Sequence, residues 1–189
     1  MIPIREKFEV AASPSRVWPL LADPAFVVTC IPGATLTAQK GPDLYDGAIA
    51  VRFGPITAQF HGEATVKYDH AAHSCTIEAR GRDQRGSSGA KASAHVTVTG
   101  TEATVVAIDG GFDVSGPLGQ FARTGGVHLA RELLAQFASN LAGKLGAAES
   151  SSAAAGSAES VPSIGVSLLW RAFVGWMRDL FGRPSRRNR

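Results

Sequence analysis

The sequence predicts an α+β domain. A curved antiparallel sheet wraps on one long C-terminal helix with a cavity between them, and a flexible linker and an amphipathic helix follow. Three observations lead there. Six strand-like segments run in succession between Ala34 and Ser115, separated by short turn signals. A single long segment of helical spacing, 118–145, comes after them. Composition then changes abruptly past Gly146. A meandering sheet buries one face against such a helix, and because the sheet curls, the space between the two can stay open.

In order along the chain, 4–10 alternates as a strand, with Ile4, Glu6, Phe8 and Val10 on one face. SPSRVWPLL opens a helix, with Ser13 at the N-cap and Pro14 at the first helical position, and Pro19 keeps it short or kinks it. Asp23–Pro24 starts a second short helix, which Pro32–Gly33 stops. Strands are expected over 34–40, 44–53, 56–69, 74–82, 90–99 and 102–115, with a tight hairpin at Gly54–Pro55. In the last helix Leu129, Leu133, Phe137, Leu141 and Leu145 recur at steps of four, so one face is buried.

These patterns divide the chain into a folded domain over 1–146, a flexible Ala/Ser/Gly linker over 147–163 and a basic tail over 164–189. The net charge of +3 is uneven. Six arginines and one aspartate after Val161 leave the tail at +5, while 13 basic and 15 acidic residues leave the remainder at −2. The folded part is therefore no basic nucleic-acid binder. Cys30 and Cys75 lie far apart, and no Cys/His cluster has metal-ligand spacing. MIPIREKFEV lacks a signal-peptide pattern, so a reducing cytoplasm is expected.

The tail is too charged to span a bilayer. A span needs about 20 mostly apolar residues, and Arg171, Arg178 and Asp179 interrupt this one; each costs about 2.5–3.5 kcal/mol near the membrane centre. Lying on the surface suits it better. At 100° per residue Leu169, Phe173, Trp176, Met177 and Leu180 share a face, flanked by Trp170 and Phe181. Arg171 and Arg178 lie opposite, and Arg183, Arg186 and Arg187 follow. Each contributes about 1 kcal/mol beside anionic lipid. Apolar stripes of this kind are more often protein contacts, but a core helix seldom needs a long Ala/Ser tether.

Three stretches carry a resemblance: FEVAASPSRVWPLLADPAFVVTCIPGA, VRFGPITAQFHGEATV and GSSGAKASAHVTV. Together with the element order, they resemble the carbon monoxide dehydrogenase CoxG family of the START-like, helix-grip (SRPBCC) superfamily, over 4–145. The loop GRDQRGSSGAK departs from the family pattern in being more charged, and its Arg80, Arg82 and Arg85 can meet an anionic partner surface. The resemblance implies a protein that recruits a cytoplasmic molybdenum-containing CO dehydrogenase-type enzyme to the inner face of the cell membrane. It also implies an apolar ligand between sheet and helix. Candidate cavity residues are Phe26, Ile31, Phe53, Phe60, Ile77, Phe112, Phe121, Leu129, Leu133 and Phe137. A one-residue slip in any strand would turn its members away.

No catalytic or metal residues are assigned. His70 and His73 read as solvated in a polar turn; His61, His95 and His128 are isolated; Glu132 stands alone beside the helix stripe. No covalently bound cofactor is expected. A natural extension of the recruitment role is a cavity that carries a quinone or other lipid between enzyme and bilayer. Two further readings stay open: a lipid-transfer protein unrelated to a redox enzyme, and a helix-grip cyclase or hydrolase.

Overall fold

A computed structural model of the chain describes residues 1–53 and 56–155, apart from the side chains of residue 53 and of 148–155. Met1–Ser150 forms one compact unit. Its elements are β1 (Ile2–Val10), α1 (Pro14–Leu21), α2 (Pro24–Cys30), β2 (Ala34–Gln39), β3 (Leu44–Phe53), β4 (Ile56–Asp69), β5 (Ser74–Asp83), β6 (Gly89–Gly100), β7 (Thr104–Ser115) and α3 (Leu118–Ala155). All seven strands join one sheet in the order β1-β7-β6-β5-β4-β3-β2, each pair antiparallel. β2 to β7 form a meander. β1 closes the far edge on β7, so the α1–α2 connection carries the chain from one edge strand to the other. This is the predicted α+β architecture of a curved sheet and a long C-terminal helix.

Local chemistry accounts for the ends. Asp23 caps α2, its carboxylate accepting from the Ala25 amide at 2.9 Å. Ser13 occupies the N-cap of α1, but its side chain caps nothing; its Oγ lies 3.0 Å from that of Ser15. Pro19 sits inside α1, which is nevertheless continuous for its eight residues. Gly33 has φ +73° and an added Cβ would meet the Ala50 carbonyl at 2.6 Å, so glycine is required where α2 gives way to β2. The β3–β4 pairing is in register to Phe53↔Ile56; the Gly54–Pro55 turn expected there lies outside the described residues.

α3 corrects one expectation. It continues past Gly146 to Ala155, so the first nine residues of the expected linker, 147–155, are helical. Their Ala-rich composition favours helix even without an apolar stripe. The remainder of that linker and the whole tail lie outside the described residues.

Two packed ends frame the domain. At one, Val10, Val17, Cys30, Leu141 and Leu145 form a cluster against Phe8, Phe26 and Phe137. Trp18, Cys75, Val98 and Val106 form a second cluster beside it, sharing Phe8 and Leu21. At the other end Ala58, Phe60 and Leu118 pack with Ile49, Ile56 and Val114. Asn140 Nδ2 donates to the Cys30 carbonyl at 2.9 Å, and Arg131 Nε meets Glu6 Oε1 at 2.6 Å, tying α3 to α2 and β1. Leu141 is wholly buried. Leu141→Ala should cost about 2–5 kcal/mol in urea unfolding, by lost transfer energy plus the void. Leu36→Ala, at a 36%-exposed site, should cost under about 0.5 kcal/mol; equal losses would contradict this placement of the core.

Candidate functional site

Between the two packed ends the inner face of the sheet carries small residues. Strand alternation turns Gly47, Gly62, Ala64, Ala79, Gly81, Ala90 and Ala92 toward α3, and all seven line a cavity of about 500 Å³. At Gly62 the demand for glycine is steric as well: a Cβ there would run into the Arg80 carbonyl. α3 comes closest at Gly126, where a Cβ would lie 2.8 Å from the Phe112 ring. Larger apolar groups close the rest of the wall: Val28 and Ile31 from the α2 region, Ile49, Val51, Phe60 and Ile77 from the sheet, Leu129 and Leu133 from α3. Tyr45 brings the one hydroxyl among the inward positions of β3, β4 and β5 on this wall, and it donates to the Pro42 carbonyl at 3.0 Å. The hollow offers shape and apolar surface, as sites for oily ligands do.

Six of the expected cavity residues stand on this wall: Ile31, Phe60, Ile77, Phe112, Leu129 and Leu133. Phe26 and Phe137 instead pack against the solid cluster around Leu141, and Phe8 meets Phe137 edge-on at 6.0 Å. Phe121 is 46% exposed, because its turn of α3 directs Leu118 and Ala122 inward. The Phe53 side chain lies outside the described residues, as do the expected membrane-contact residues Leu169, Trp170, Arg171, Phe173, Trp176, Met177, Arg178, Leu180, Phe181, Arg183, Arg186 and Arg187. Sequence reasoning that searched for large apolar residues missed the small ones. Their signal was present as alternation: Gly62 and Ala64, Ala79 and Gly81, Ala90 and Ala92.

A second group corrects the reading of His70 and His73 as simply solvated. The His73 ring lies 5.5 Å from Trp18 and the His70 ring 5.8 Å, while His70 stacks on Tyr68 at 5.8 Å. His73 has φ +46°, which bends the β4–β5 turn back over Trp18. Trp18 Nε1 is buried and has no hydrogen-bond partner in the structure. The group is a cap on the core. No set of three His, Cys, Asp or Glu among the described residues can hold a metal ion. His128 is exposed, and so is Glu132, which accepts from Gln136 at 3.3 Å. Among the described residues no helix is long and apolar enough to cross a membrane.

A curved seven-stranded antiparallel sheet gripping a long C-terminal helix over an apolar hollow is the START-like, helix-grip class of protein. Solved structures agree. A conserved protein from Geobacillus kaustophilus superposes with a TM-score of 0.65 at 20% identity, covering 77% of this chain and 95% of that one. A START superfamily protein from Mycobacterium smegmatis gives 0.50 at 21%, over 75% and 95%. The human StarD13 lipid transfer and protein localization domain gives 0.52 at 14%, over 74% and 76%. Among the curated proteins none matches. The family model for CoxG, a component of carbon monoxide dehydrogenase, matches residues 7–146, and the chain belongs to that family.

Burial beside Trp18 pushes the Cys75 thiol from 9.0 up to about 11. The Tyr68 hydroxyl also rises above its ordinary 10.0, chiefly through burial and then through the nearby Cys75. Both groups hold their protons in the folded chain at pH values where the unfolded chain releases them. Their contribution is whole below about pH 9 and is lost as pH climbs toward 11 and beyond. Urea midpoints should fall between pH 8 and pH 10.5, with Cys75 accounting for about 2 kcal/mol. Cys75→Ala should flatten the decline; the same slope with and without the thiol would contradict its assignment.

Proposed function

We propose that this chain is a non-catalytic accessory subunit that serves a cytoplasmic CO dehydrogenase-type molybdenum enzyme at the inner face of the cell membrane, and that its cavity carries a quinone or similar lipid. The observation that carries the reading is the hollow itself. An apolar wall on small-residue strands, with its hydroxyl already engaged, suits a ring system or isoprenoid-like chain and supplies no acid–base pair for chemistry on it. Family membership supports the association with CO dehydrogenase. The basic, tryptophan-bearing tail supports a peripheral hold on anionic lipid. Joining the two parts raises the local concentration of the enzyme near its oily electron acceptor without any new contact at the active site.

Native mass spectrometry of full-length protein after gentle extraction should find one lipid or quinone per chain, and added quinone should fill empty protein. A chain ending at Ala155 should keep its guest and lose binding to anionic vesicles. Protein that is empty and takes up no quinone would overturn the carrier role. Vesicle binding undiminished without the tail would overturn the anchor. A lipid-filled chain with no affinity for the enzyme would favour lipid transfer instead.

A further inference from the structure

The outer face of the sheet carries a second concavity, behind the first. It encloses about 600 Å³ and is lined by His61 and Glu63 of β4, Arg80 and Arg82 of β5, Lys91 of β6, and Asp113 and Ser115 of β7, with the 86–89 stretch of the β5–β6 connection forming one wall. The side chains stand in cross-strand ladders, His61 opposite Arg82, and Glu63, Arg80, Lys91 and Asp113 in succession across four strands. Its floor includes Gly62, Gly81 and Gly89, which raise no side chain into it. Gly62 and Gly81 also line the inner cavity, so the polypeptide backbone alone separates the two spaces at that point.

The charges in this groove are unevenly satisfied. Glu63 is already held, at 3.0 Å by Arg80 and at 3.5 Å by Lys40, and these contacts keep its carboxyl below the usual range, Arg80 contributing most. Arg82, Lys91 and His61 have no ion-pair or hydrogen-bond partner among the described residues. All three are exposed, on a domain whose overall charge is negative. A domain with that balance gains nothing for its own fold from two unpaired cations in a recess.

We infer that this outer groove is a docking site for an acidic segment on the surface of a protein partner, with Arg82 and Lys91 as the principal contacts. Charge complementarity selects the occupant. The chain's own tail, at +5, is repelled. A bilayer or a nucleic-acid backbone presents uniform negative charge, against which Asp113 and Glu63 would stand. An acidic protein segment instead brings carboxylates to Arg82 and Lys91 while its amides and hydroxyls meet Asp113, Ser115 and the loop. The inference rests on the reading above that the chain serves an enzyme, and it names the surface used. A partner seated there lies one backbone thickness from a guest in the cavity.

The test measures association of the full-length chain with the CO dehydrogenase-type enzyme from the same source, at low and at physiological salt. The double variant Arg82→Glu/Lys91→Glu should associate about tenfold more slowly or worse, with the gap narrowing as salt rises. Arg82→Lys should retain most of the rate. Lys7→Glu, an equal change of sign per site on the outer face of β1, should alter it by less than about twofold. Thermal melts and lipid loading should match wild type in every variant. An undiminished rate in the double variant while wild type binds would overturn the groove and leave the recruitment reading standing. Failure of the wild type itself to bind would overturn both. An equal loss of binding to phosphatidylserine vesicles would show that the groove reads a membrane, and would overturn the inference as well.

Discussion

Helix α3 is held away from the sheet by what the sheet lacks. Over the middle of β4, β5 and β6, the positions facing the helix are Gly62, Ala64, Ala79, Gly81, Ala90 and Ala92, and nothing there is long enough to reach it. Close packing is the normal state of a protein interior, and an apolar void forfeits dispersion contacts on every side. The hollow persists because the two ends are closed independently, by Leu118 and Phe60 at one and by Leu141, Leu145 and Val17 at the other. The spacing of the helix is set by those ends and by Phe112 beneath Gly126, and the cavity is the remainder.

The same four-residue stripe on α3 therefore serves two purposes. Its C-terminal members, Phe137, Leu141 and Leu145, are anchors in a solid core. Leu129 and Leu133, one and two turns earlier, form the roof of the hollow. The Glu6–Arg131 pair at 2.6 Å and the Asn140 bond to Cys30 at 2.9 Å fix the rotation of the helix, so that Leu129 and Leu133 stay directed at the sheet. Gly125 and Gly126 lie N-terminal to this anchored part, over the cavity, where glycine weakens a helix by about 1 kcal/mol relative to alanine. Firm anchorage at one end and a weak turn above the guest are a sound arrangement for a chain that must load and unload.

Element order and type were legible because strand alternation and the helical stripe are strong signals, and each rested on local patterning. Boundaries in the sheet agree to within a residue or two. The end of α3 was not legible, because the Ala/Ser run after Gly146 has high helix propensity and no stripe, and the absence of apolar residues was weighed above propensity. Within the site, aromatic residues misled. Phe26, Phe121 and Phe137 are large and apolar, but the first and last fill a core and Phe121 faces outward by the rotation of a helix turn. A cavity is made by small residues at alternate positions on adjacent strands, and that pattern appears only once the register pairs Gly62 with Gly81 and Ala79 with Ala92. The outer groove was equally hidden, since Arg82 and Lys91 are nine residues apart in sequence and meet His61 and Asp113 only across the sheet.

The central claim is that room exists over Ala79 and that an apolar molecule uses it. Titration of full-length protein with a neutral apolar fluorophore, for wild type and Ala79→Phe, tests both halves together. The account predicts one saturable site per wild-type chain, its loss in Ala79→Phe, and a melting temperature for the variant no lower than wild type, since the ring enters empty space. A variant that binds the fluorophore undiminished would contradict it. So would one destabilised by the roughly 1–3 kcal/mol typical of forcing extra atoms into a filled core.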